Sequence, residues 1–333
     1  MKVNLYPIEK DDKYGYVNIM GEVVIPFEFD FADVFENNMA FVEVDNLCGF
    51  INIKGEFLIQ PKYDDINYFN EHMAVVEIDH KYGYIDINGN EVINIKYEDA
   101  KGFNQGLAAV KILGKYGYIN SKGEMVIKPQ FDEANEFEEN GLALVKKGEK
   151  FGYINTAGLV VIEFTFDFAN DFSEGLAAVA IGQDYFYIDE TGNKIIESNF
   201  DFIGNFNEGL APISIEDAWG FINREGKIVI EPKFQWVDNF SGEYGVVSAD
   251  DKYGFINKNG EIVIEPIYDN VFDYNEGLFS VEVNELWGYV DINGNTVIEP
   301  KYDEAENFIN GFAKVKFKGK ETYISKEGNF LYC

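Results

Sequence analysis

Ten copies of one unit follow each other along the 333 residues of this chain, and that recurrence limits the fold more than any other feature. Taking an aromatic-glycine dipeptide as origin, the copies begin at Tyr14, Cys48, Tyr82, Tyr116, Phe151, Tyr185, Trp219, Tyr253, Trp287 and Glu321, a step of 34 residues with one exception. The exception is a single extra residue in the fourth copy, between Phe137 and Gly141. An insertion tolerated there marks a surface loop. A unit this short cannot bury a core alone, so each copy must pack on its neighbours and spread stability along an array.

Within a copy the signals are those of strands and tight turns. Seven residues after each origin stands a glycine, as at Gly123, and three residues before it a side chain able to cap a turn, as at Asn120. Glycine takes positive φ at little cost and Asn or Asp closes the turn onto its own backbone, so each copy should contain a hairpin. Tyr116-Gly117-Tyr118-Ile119-Asn120 precedes the turn and Glu124-Met125-Val126-Ile127 follows it, and Pro129 then ends the run, because proline donates nothing to a ladder. A third apolar run, Leu107-Ala108-Ala109-Val110-Lys111-Ile112, lies ahead of the origin across a short Leu113-Gly114-Lys115 turn. Each unit therefore reads as a three-stranded β-meander. Between units runs a linker such as Tyr302-Asp303-Glu304-Ala305-Glu306-Asn307-Phe308, whose anchors recur every three residues. That spacing predicts a helical turn or compact loop. Both linker aromatics, for example Phe131 and Phe137, are expected in the core, where each large apolar side chain contributes roughly 1.5–3 kcal/mol.

The aromatic-Gly origin, the turn glycine, the Val-Ile-x-Pro ending and segments such as Glu174-Gly175-Leu176-Ala177 recur in register. Together they resemble the bacterial WG repeat family, also called KWG repeats, over nearly the whole chain. The resemblance implies β-rich repeats with interaction roles and no shared enzymatic activity. Cys48 in place of the aromatic, Phe186 in place of the glycine, and Glu321-Thr322 at the last origin depart from the pattern.

The fold class expected is all-β, a single tandem array over residues 1–333. Residues 1–13 supply the first strand of the first unit and residues 321–333 a terminal capping hairpin. Leu5-Tyr6-Pro7-Ile8 aligns with Leu210-Ala211-Pro212-Ile213, and Asn329-Phe330-Leu331-Tyr332 with a final strand. The array starts and stops in phase, with no blade split between the termini, which favours an open superhelical solenoid over the alternative, a closed propeller-like ring.

Charge then bounds function. Fifty-nine acidic residues against 27 basic leave a formal charge of −32, a field that repels phosphate backbones and anionic membrane surfaces. Direct nucleic-acid and membrane binding are not expected. Cys48 and Cys333 are the two cysteines, too few for a disulfide framework. The N-terminal residues carry no apolar signal core, so a cytoplasmic location is expected.

Catalytic chemistry and cofactors are not expected either. His72 and His80 have no Cys or carboxylate cluster at ligand spacing and read as turn residues. Asp86-Ile87-Asn88-Gly89-Asn90-Glu91 lacks the ordered ligands of a calcium loop and reads as an Asx-capped hairpin. No metal site is assigned. Two binding surfaces are candidates. The linker carboxylates Asp132, Glu133 and Glu136 would decorate an extended acidic surface complementary to a basic protein partner, making the chain an interaction scaffold, with an inhibitor or immunity-type role as its sharper form. Alternatively Trp219, Trp236 and Trp287 would stack on the apolar faces of a glycan, as in a cell-wall binding module.

Overall fold

The computed structural model describes residues 4–197 and 199–332, so Cys333 and the first three residues lie outside the described part. Every regular element among the described residues is a β-strand. The fourth copy shows how these arise. Asp99–Ala100, Leu107–Ile112, Lys115–Asn120 and Met125–Phe131 lie side by side in chain order in one antiparallel sheet. The two central strands pair without interruption from Leu107↔Asn120 to Ile112↔Lys115. The two-residue turn between them holds Leu113 and Gly114 at φ 50° and 75°, the left-handed pair that matches the twist of a hairpin. At the next turn Asn120 Oδ1 accepts the N–H groups of Lys122 and Glu124, both at 3.0 Å. The Asx-capped hairpin is therefore present as expected.

The last strand of the sheet is bulged against its neighbour. Tyr116 faces Phe131 and Tyr118 faces Ile127, so three residues on one strand span five on the other. The extra backbone folds over Gly117, where a Cβ would stand 2.7 Å from Pro129 N and closer still to the Ile127 carbonyl. The glycine of the aromatic-Gly pair is thus required by a close backbone approach. The sixth copy supplies the natural control: with Phe186 at this place, Phe186 pairs directly with Glu197 and Tyr187 with Ile196, with no bulge between them.

Eight of the ten sheets are four-stranded and the first and last are three-stranded, so the three-stranded β-meander is corrected. The fourth strand comes from the linker, which is neither helical nor a loop: Glu133–Ala134 pairs with Lys146 and Val145. Phe131, Ala134 and Phe137 are all buried, yet their spacing of three comes from a bend at Asp132 between two extended pieces. A bend resets the side-chain alternation and mimics helical periodicity.

The core lies between successive sheets. Leu107, Tyr118, Ile127 and Phe131 of one sheet pack with Ala134, Phe137, Ala143, Val145 and Ile154 of the next. By contact density the chain divides into two compact units, Phe29–Asn199 and Met1–Glu28 with Phe200–Cys333.

The second of these units joins the two ends of the chain. Tyr6 of the first sheet (Leu5–Lys10, Lys13–Asn18, Val23–Phe29) packs on Phe312 and Tyr323 of the last, with ring centres 5.0 and 5.1 Å apart. Tyr14 donates to Glu321 at 3.2 Å and Lys10 to the Tyr332 hydroxyl at 3.3 Å. Gly21, at φ 76°, turns so close to the Leu331 carbonyl that a side chain would overlap it. The series of sheets has no free end, the arrangement of a β-propeller, and the open superhelical solenoid is overturned. No split blade is needed for this. The joint is made by side-chain packing between the two sheets, the kind of contact that neighbouring sheets make within each unit.

Candidate binding site

The linker carboxylates proposed as an acidic surface are occupied by the fold. Asp132 pairs with Lys115 and accepts the Gly148 N–H at 2.8 Å. The Lys115 contact, followed by that backbone donor, holds its carboxyl below the usual range. Glu133 receives Lys146 Nζ at 2.7 Å, and Glu136 receives the Gly102 N–H of the preceding copy at 2.9 Å. These three lie on one linker and serve, in order, a turn, a strand pair and a joint.

Each of the three tryptophans pairs with a different ring. Trp219 is half-buried, 5.3 Å from Phe202. Trp236 is 39% exposed and meets Tyr253 edge-on at 6.1 Å. Trp287 is buried beneath Phe272, the rings stacked at 4.8 Å and 23°. With Phe168 against Tyr185 in the sixth copy, four successive copies set an aromatic from the linker against the aromatic of the origin. His72 and His80 both take left-handed turn conformations. Asp86 spends its oxygens on Asn88 and Asn90, and hydrogen bonding by Asn90 lowers its pKa. Among the described residues no group of three or more His, Cys, Asp or Glu is placed to hold a metal ion.

A cleft of about 250 Å³ opens beside the Phe272–Trp287 stack, lined also by Glu304, Glu306, Lys314, Lys316 and Glu321. Its cause is visible in the repeat. At this register the sixth, seventh and eighth copies place two rings, Phe168 with Tyr185, Phe202 with Trp219 and Trp236 with Tyr253, whereas the tenth copy puts the two carboxylates Glu304 and Glu321 there. Carboxylates do not pack as rings do, and the face of Phe272, 45% exposed, is left open. Lys314 pairs with Glu321 and Lys316 with Glu304, both at 2.8 Å. Glu304 is the first cause of the raised Lys316 pKa. Burial and Glu321 push the Tyr14 phenol up to about 12, so it stays a donor.

Sequence reasoning named Trp287 but missed Phe272 and the charged residues around it. The signal was present as a break in the repeat. The register of Phe272 holds Asp33, Asn67, Lys101, Asn135, Asn170, Gly204, Asp238 and Glu306 in other copies, with no second aromatic.

An open aromatic face rimmed by charges, carried on ten small sheets, defines a class: an all-β repeat protein in the propeller arrangement. The chain belongs to the family of WG containing repeats, whose unit matches at residues 14–48, 49–82, 82–116, 116–151, 151–183, 185–217, 219–253, 253–287 and 287–320. No curated protein matches it in sequence. Among solved structures it is similar to a eukaryotic initiation factor, at TM-score 0.55 and 10% identity, over 99% of this chain and 95% of that one. It is similar also to Saccharomyces cerevisiae Sqt1, at TM-score 0.42 and 10% identity over 88% and 98% of the two chains. A third likeness is to Kluyveromyces lactis Hsv2p, at TM-score 0.40 and 10% identity over 68% and 91%. At such identity the first of these speaks to the fold alone. No helix of the described residues is long and apolar enough to cross a membrane.

Proposed function

We propose that this is a bacterial, non-catalytic binding module whose ten copies act as one array and whose ligand is a glycan. The observation that carries this reading is the Phe272 face, exposed and backed by Trp287, at the mouth of a cleft lined by side chains able to donate and accept hydrogen bonds. Apolar sugar faces stack on such rings while their hydroxyls meet the polar rim. Small-molecule sites commonly span about 300–1,000 Å³, so a cleft of about 250 Å³ suits one sugar residue, with the rest of an oligosaccharide outside it. Because Trp287 lies under the platform, titration with a panel of oligosaccharides should shift its fluorescence saturably for some member. The Phe272→Ala variant should lose the response. A panel that leaves both the emission and calorimetric heats unchanged would refute the reading.

A protein partner is the second reading, favoured by the charge of −32. In this form the chain is a cytoplasmic scaffold, or an inhibitor or immunity-type binder, for a basic protein. Such a complex should weaken steeply between 50 and 500 mM salt, on the order of the screening expected as the Debye length shrinks from about 14 to about 4 Å. Salt-independent capture would count against it.

A further inference from the structure

Building on the glycan reading, we infer that the Phe272 cleft selects an amino sugar carrying a free, protonated amine. The lining holds three carboxylates, Glu304, Glu306 and Glu321, against two ammonium groups, and both lysines are already engaged by glutamates at 2.8 Å. A sugar carboxylate entering here would meet net negative charge with the cations occupied. A sugar ammonium would join the aromatic face and the carboxylates together, and the protein's overall field draws it in.

In two other copies an ammonium group lies over the origin ring. In the fifth copy Lys146 Nζ lies 4.9 Å from the ring centre of Phe151 and 2.7 Å from Glu133. In the fourth, Lys111 Nζ lies 5.2 Å from the ring centre of Tyr116. Lys146 and Lys111 are the cross-strand partners of those origin aromatics. The corresponding partner of Trp287 is Glu282. The ninth copy thus keeps the aromatic and places a carboxylate where the fourth and fifth copies carry a cation.

The test uses the full chain at pH 6 and compares tetramers of glucosamine, of N-acetylglucosamine and of galacturonic acid by calorimetry and Trp fluorescence. The expected result is glucosamine tetramer binding about five- to tenfold tighter than its acetylated counterpart, the scale of one ammonium–aromatic contact, with galacturonate weakest. Glu304→Gln, at a side chain 66% exposed and so without consequence for folding, should shrink that preference. Phe272→Ala, which leaves charge unchanged, should abolish binding. If the acetylated tetramer binds as well as the free amine, the selectivity is overturned while glycan binding stands. If no tetramer binds and no other glycan does, both fall. If Phe272→Ala binds glucosamine as tightly as the native protein, the attraction is bulk charge and the site is refuted.

Discussion

The phenol of Tyr118 donates to the backbone carbonyl of Asn135 at 2.7 Å, across the boundary between one copy and the next. Tyr84 with Lys101, Tyr153 with Asn170 and Tyr289 with Glu306 repeat the bond at 2.8, 2.6 and 2.8 Å. Each tyrosine is buried, so its hydroxyl and the linker carbonyl satisfy each other where water does not reach. Tyr118→Phe should cost about 1–2 kcal/mol, since it leaves a buried acceptor unmet. Urea unfolding followed by tyrosine and tryptophan fluorescence will measure it, and a loss under a few tenths would mean that water replaces the phenol.

The opposite outcome is expected at the first linker aromatic. The hydroxyls of Tyr63 and Tyr302 are buried without a hydrogen-bond partner, and other copies put Phe131, Phe166 and Phe234 at that register. Removing an unsatisfied buried hydroxyl while keeping the ring should stabilise by about 1 kcal/mol per site. Tyr63→Phe and Tyr302→Phe should therefore raise the thermal midpoint, and a fall in either would show that the hydroxyl is in fact satisfied.

Gly117→Ala forces a methyl into the Ile127 carbonyl and Pro129 nitrogen. Backbone cannot swing aside as a side chain can, and a cost of about 2–3 kcal/mol is expected. The complementary change, Phe186→Ala, creates a cavity with no backbone clash to relieve. Chemical denaturation of the pair should separate these effects, and a neutral Gly117→Ala would mean that the bulge relaxes.

Asp171 carries a pH prediction. Its Oδ1 is buried without a partner, while Oδ2 accepts from Asn135 Nδ2 at 2.7 Å. Burial raises its pKa above 3.8, only partly opposed by that hydrogen bond and by Lys101. The folded protein then holds this proton more tightly than the unfolded chain, so the ionised carboxylate costs stability at neutral pH and the cost disappears as pH falls through the raised value toward 3.8. Asp171→Asn should be more stable than the native protein at pH 7.5, by a margin that shrinks toward pH 4. A margin independent of pH would show that charge burial is not the cause.

Local features were legible in the residues because they are settled within a few positions along the chain. Asn120 and Gly123 specify a turn by their own conformational preferences, and the alternation around Tyr116–Asn120 specifies strands. The linker strand was not legible, because the bend at Asp132 gave Phe131, Ala134 and Phe137 the spacing of a helix. The cleft was half legible: Trp287 could be named, but Phe272 and Glu321 lie 49 residues apart and meet only once sheets pack.

The recurrence of one 34-residue unit determined by itself that the chain is an all-β array with its core between copies. It could not decide whether that array ends or closes. Repetition specifies which faces pack, and every joint looks alike in sequence whether the next sheet is the following copy or the first one. Closure depends on bulky groups such as Tyr6, Phe312 and Tyr323 meeting between the first and last sheets, and only the tertiary structure contains that contact.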